Sequence, residues 1–196
     1  MVELIKEIII ILTWVIAAFS LFIAVFIPKR IMLYQFYSDL ITEFRKHELG
    51  TAIFALYYFY NNDCAKKRTN IKDDDYSKEI LTIKEKYKER YEIEVNQLQK
   101  EGKNVIYSET LSAQGRIVSH YFYQVAILYL DKLCPKEIKK EIRMWFNQHK
   151  KTLEIAIAIH EEAITLHSVK DVYRTGEEST VLKKLKLLNE KFNNKN

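Results

Sequence analysis

Arg143 and His149 stand six residues apart in Arg143-Met-Trp-Phe-Asn-Gln-His149. An arginine offers a forked, permanent cation that matches a phosphate, and a histidine carries a proton near neutral pH. Together on one helix they set an anion-binding group near a proton carrier. The structural alternative is a surface Arg and His flanking a buried Trp145 and Phe146. His160-Glu161-Glu162-Ala163-Ile164 invites comparison with a zinc-binding helix of the form His-Glu-x-x-His. Ile164 fills the second ligand's place and His167 lies two turns on, so two ordinary helix histidines are the simpler reading. Arg116 and His120, near Glu109 and Ser112, read as an anchor of helix packing, as does Arg45 with Glu48. Cys64 and Cys134 have no Cys-x-x-Cys partner and no histidine cluster, so no metal site is indicated. Two thiols in 196 residues suit a reducing compartment. The sequence has no phosphate-cradling glycine loop and no Gly-x-Ser-x-Gly elbow. Nucleotide hydrolysis and acyl transfer are therefore unsupported, and no cofactor is expected.

The elements that must position these residues begin with a greasy run. Residues 8–27, from Ile8 to Ile27, carry no charge, and Thr13 and Ser20 are the only hydroxyls. About 20 apolar residues are what a helix needs to cross a hydrocarbon core about 30 Å thick. The run is apolar all round, unlike a core helix with one greasy stripe. It is longer than a signal-peptide core, and no small-x-small cleavage site follows. Pro28, Lys29 and Arg30 close it. Lys29 and Arg30, then Arg45 and Lys46, outweigh Lys6 on the other side, which favours a cytosolic body. Thr13, Ala17, Ser20 and Ala24 fall on one face and would let a second helix approach closely.

Beyond Arg30 the apolar spacing is helical throughout. Ile31 to Phe44 forms one segment, and Leu49 to Tyr60 another after a tight bend or kink at Arg45–Glu48. Asn61–Asp75 reads as a polar loop whose three aspartates favour the start of the next helix. That helix runs to about Glu101 with a narrow seam through Tyr76, Ile80, Ile83, Tyr87, Tyr91, Val95 and Leu98. Gly102-Lys103-Asn104 is a turn. A broad-faced, central helix follows from about Ser108 to Leu133. Pro135 suits the first position of the next helix, which carries Arg143, His149 and His160 and is expected to bend near Gln148–Thr152. A loop over Val169–Gly176, a short helix over Ser179–Phe192 and a frayed tail over 193–196 complete the chain. The expectation is an all-α protein: residues 1–30 as a single transmembrane anchor, then 31–192 as a bundle of about five to seven helices.

The net charge of +5 comes from 31 basic and 26 acidic residues, mixed rather than clustered. No lysine and arginine stripe marks a nucleic-acid surface. Lys183, Lys184, Lys186, Lys191 and Lys195 give the last helix a basic face, which suits either solvent or anionic lipid.

Two resemblances add to this. The spacing of Arg143 and His149 on a helix of an all-helical domain is similar to the motif of the HEPN ribonucleases, although Met144 departs from the polar residue usual there. That resemblance implies a membrane-tethered ribonuclease with Arg143 and His149 as the catalytic pair. Separately, Phe44-Arg-Lys-His-Glu-Leu-Gly-Thr-Ala-Ile-Phe-Ala-Leu-Tyr-Tyr-Phe59 and Gly115-Arg-Ile-Val-Ser-His-Tyr-Phe-Tyr-Gln-Val-Ala-Ile-Leu-Tyr129 resemble a bacterial family of unknown function. That family has one N-terminal span and a helical cytosolic body, a layout similar to that of phage abortive-infection proteins. This second resemblance implies a plasma-membrane anchor and a non-enzymatic interaction, scaffold or sensing module acting in stress or phage defence. The expected partners are the bilayer through residues 8–27 and another protein, with a homo-oligomer left open.

Overall fold

The computed structural model describes residues 2–65, 76–102, 110–168 and 175–193. Helix α1 spans Val2–Phe44, α2 His47–Phe59, α3 Tyr76–Lys100, α4 Leu111–Leu130, α5 Lys136–Ser168 and α6 Thr175–Asn193. No strand occurs among the described residues, and the protein is an all-α bundle with one long apolar N-terminal helix.

α1 is continuous through Pro28, so the expected boundary between anchor and body falls inside one helix. Its first part is long and apolar enough to cross a membrane, and no residue of that apolar window is buried in the protein. Trp14 is 73 % exposed and Leu21 68 %. Burial begins only with Leu33 and Leu40, where α1 joins the bundle. A bend at Arg45–Lys46 ends α1 and starts α2. α2 then runs on into a wide π-helical turn, Tyr60–Cys64, that buries Cys64. The polar start of the expected loop is therefore helical; the remainder of that loop, residues 66–75, lies outside the described residues.

α4 is the central helix, packed against all five others. Its start is fixed by chemistry rather than by apolar spacing. The Thr110 hydroxyl accepts from Ala113 N at 3.2 Å, and a Glu94 carboxylate oxygen of α3 accepts from Leu111 N at 3.2 Å. Both satisfy amides that a helix N-terminus leaves open. The expected start at Ser108 and the tail of the turn before it lie outside the described residues. α4 stops at Leu130, short of the expected Leu133, because Asp131 is extended and its carboxylate accepts from Leu133 N at 2.7 Å.

α5 opens at Lys136, with the Pro135 carbonyl accepting from Lys139 N. α5 passes unbroken through 148–152, where a bend was expected, as one helix of 33 residues. Residues 152–160 are all buried, so α5 threads the middle of the bundle with no wet face there. Gly115 of α4 lets α5 come close; a Cβ added there would lie 2.7 Å from Ile159 Cγ2. α6 begins at Thr175, four residues before the expected Ser179, and closes the core with Val181, Leu185 and Leu188.

Cross-contacts fix the directions. Lys29 reaches Asp131 and Tyr37 reaches Glu141, while Tyr121 bonds to the Leu40 carbonyl. α4 thus climbs toward the apolar end of α1, and α5 descends from it. The α4–α5 turn sits at the apolar rod's exit, and α3 runs away from it alongside α5.

Candidate functional site

Arg143, His149 and His160 all lie on α5, so the helix phase decides what they can do together. Arg143 and His149 are six residues apart, which leaves them about 120° apart around the axis. Arg143 is exposed. His149 turns into an aromatic cluster, 5.1 Å from the Phe44 ring and 4.8 Å from the Trp145 ring, and its Nδ1 is buried without a hydrogen-bond partner. Burial holds the imidazole below its ordinary value of 6.5, which favours the neutral form. Trp145 also packs on Phe44, Tyr121 and Phe122. The ring of His149 is thus a packing element at the seat of α1.

Beside this cluster a small cavity of about 20 Å³ lies between α1, α4 and α5. The Tyr37 hydroxyl, at its wall, donates to the Glu141 carboxylate. Burial first, then the neighbouring carboxylate, push that phenol up to about 12. Neither Arg143 nor His149 lines this cavity or the larger one described below.

Two ionic knots tie α5 to its neighbours. Lys151 pairs with Glu79 of α3 and with Glu154, and its ammonium stands 4.9 Å from the Tyr60 ring centre. The Tyr60 hydroxyl donates to the same Glu79. Burial pulls Lys151 down, but the Glu79 hydrogen bond and the surrounding negative charge outweigh it, so the net direction is up. One helical stretch further, Glu161 accepts from Lys186 of α6 at 2.5 Å and pairs with Lys84 of α3 at 2.7 Å. Burial pushes this carboxyl up, the two lysines pull harder, and it ends below its ordinary value. His160 is 6 % exposed. The His-Glu pair of the zinc-like stretch is thus one buried ring and one carboxylate held by two lysines. The His167 side chain lies outside the described residues.

A cavity of about 340 Å³ opens between α2, α3 and α4. Phe54 and Tyr58 stand on its rim, 70 % and 63 % exposed, with ring centres 6.4 Å apart. Arg90 and Glu94 pair at 3.1 Å along its wall, and Asp63 and Gln114 add polar edges. Apolar spacing marks most of these positions only as helix faces, and Asp63 as part of a polar loop. The available signal was two aromatics one turn apart on a helix of only 13 residues.

Arg116 is exposed and His120 half-buried, at the expected place early in α4. Ser112 accepts from the Tyr87 hydroxyl of α3 at 3.0 Å, a buried tie at the start of α4. Glu109 lies outside the described residues.

No protein-family model, no curated protein and no solved structure matches the chain.

Proposed function

We propose that this is a single-pass membrane-anchored helical interaction module, with residues 8–27 in the bilayer and the bundle on the cytosolic side of a plasma membrane. The observation that carries the reading is α1: from Ile9 on, no residue of its apolar window is buried in the protein, and the helix continues without interruption to a part seated on the core. Exposed apolar surface of that extent demands a partner, and its length fits lipid. Lys29 and Arg30 at its exit support the inward body, and two buried free thiols agree with a reducing compartment. The interaction role draws its support from the interior, and its place in stress or phage defence rests on the resemblance alone. Lys151, Glu161 and His149 are all engaged in holding helices together, while the groove under Phe54 and Tyr58 offers aromatic surface to a protein partner.

Membranes from cells making the full chain test the anchor: after an alkaline wash the protein stays in the pellet. Release into the supernatant would overturn the reading. Purified full-length protein mixed with labelled RNA tests the module against the nuclease. RNA stays intact under the proposal. Cleavage that disappears in both Arg143→Ala and His149→Ala would install the ribonuclease in its place.

A further inference from the structure

We infer that the α4–α5 turn is a second membrane contact, a basic, leucine-tipped surface that rests on anionic lipid headgroups beside the α1 exit. The inference rests on the anchoring reading above. Its geometry comes from the Lys29–Asp131 pair at 3.8 Å, which fixes the turn to the juxtamembrane end of α1. Lys29 follows the last apolar residue, Ile27, by two positions, or about 3 Å of helix rise. The headgroup layer is about 5–7 Å deep on each side. Asp131, and the turn that begins with it, therefore lies within that layer.

What the turn displays there fits the layer's chemistry. Leu133 at the tip is 38 % exposed, and Lys132 and Lys136 are exposed beside it, with Arg30 on the neighbouring helix. Of the nearby carboxylates, Asp131 is paired with Lys29, and Glu137 is exposed. The balance is positive, and lysines at an anionic surface attract it within a Debye length. The α5 direction adds to this: Lys136 opens the helix at the turn, whereas Lys140, next to the Glu141 that accepts from Tyr37, already lies out along the body. An exposed leucine between lysines is the arrangement that inserts shallowly while its cations hold phosphates. The Cys134 and Pro135 side of the same turn is buried and packs inward, which leaves the lysine and leucine side to face outward.

The test uses the full chain in nanodiscs of phosphatidylcholine alone and of phosphatidylcholine with phosphatidylglycerol. Leu133→Cys is reacted with a neutral polyethylene-glycol maleimide; the native Cys64 and Cys134 are 2 % and 5 % exposed and supply the slow background. Lys100→Cys, at the far end of α3, is the reference site. The expected result is that Leu133→Cys reacts about fivefold more slowly in the anionic discs, the attraction of about one lysine, while Lys100→Cys reacts equally in both. Adding Lys132→Glu and Lys136→Glu removes the difference; Lys88→Glu with Lys140 intact does not. Equal rates in the two discs, or a slowing indifferent to the lysine reversal, overturn the inference. An alkaline wash of the same preparations separates this from the anchor: protein retained by lipid with equal labelling rates sinks only the turn, whereas protein washed free sinks the anchor itself.

Discussion

At His149 the burial of one ring decides both its chemistry and its contribution to folding. With its folded value held below 6.5, the unfolded chain takes up the proton first as pH falls. The stability from the neutral ring is complete above the ordinary value and is lost as pH drops through the folded one. The detergent-solubilised protein should therefore need less urea to unfold at about pH 5.5 than at about pH 7.5, and His149→Phe should flatten that difference. An unchanged slope in the variant would clear His149 of the effect. Glu161 is not a confounder in this window, because its value is shifted down from 4.5 and its contribution is lost only at lower pH. Thr152 offers a second single-residue test: its hydroxyl is fully buried with no partner. Thr152→Val keeps the shape and removes the unsatisfied group, so it should stabilise by about 1 kcal/mol in the same titration. The pair Arg143 and His149 was legible in the sequence as a spacing. Which side of the helix meets solvent and which meets α1 was not, because that is set by the packing of Phe44 and Trp145 on His149. Of the two rings against His149, Phe44 comes from another helix and leaves no local mark.

Among the elements, α4 and α5 depend on one close approach. Gly115→Ala would place a methyl 2.7 Å from the branched Ile159 Cγ2, which has little room to give. Overpacking costs about 1–3 kcal/mol and the better helix former returns about 1 kcal/mol, so the net loss should be about 1 kcal/mol. Gly50, early in α2, meets nothing within 4 Å, and Gly50→Ala should raise stability by about 0.5–1 kcal/mol. Thermal unfolding of the two variants in detergent checks both signs; a stabilised Gly115→Ala would show that α5 can retreat. The elements themselves were largely readable, since the seam of α3 through Ile83, Tyr87, Tyr91 and Val95 is the buried one. The failures have physical causes. α5 is buried on every side over 152–160, so the alternation that announces a helix face fades there and hides that the helix runs on unbroken. The end of α4 is set by the Asp131 side chain bonding to Leu133 N, a turn device that apolar spacing does not register.

For the whole molecule the sequence conveyed a greasy segment and a helical body but not how they join. Pro28 reads as a boundary because it removes a helix hydrogen bond and crowds the preceding turn. The helix nevertheless passes through it, and its lower part is held by Tyr37, Leu40 and Phe44. A 43-residue helix is about 64 Å long. On the proposed anchoring, bilayer holds one end of this shaft, and the rings of Tyr121 and Trp145 seat the other. Any twist or vertical slide that lipid imposes on the upper end must arrive at the aromatic cradle as torque or thrust. One alanine inserted after Arg30 would rotate the upper half by about 100° and lift it by about 1.5 Å relative to the bundle, carrying Lys29 out of reach of Asp131. Tryptophan emission from Trp145 would report whether that cradle feels the change.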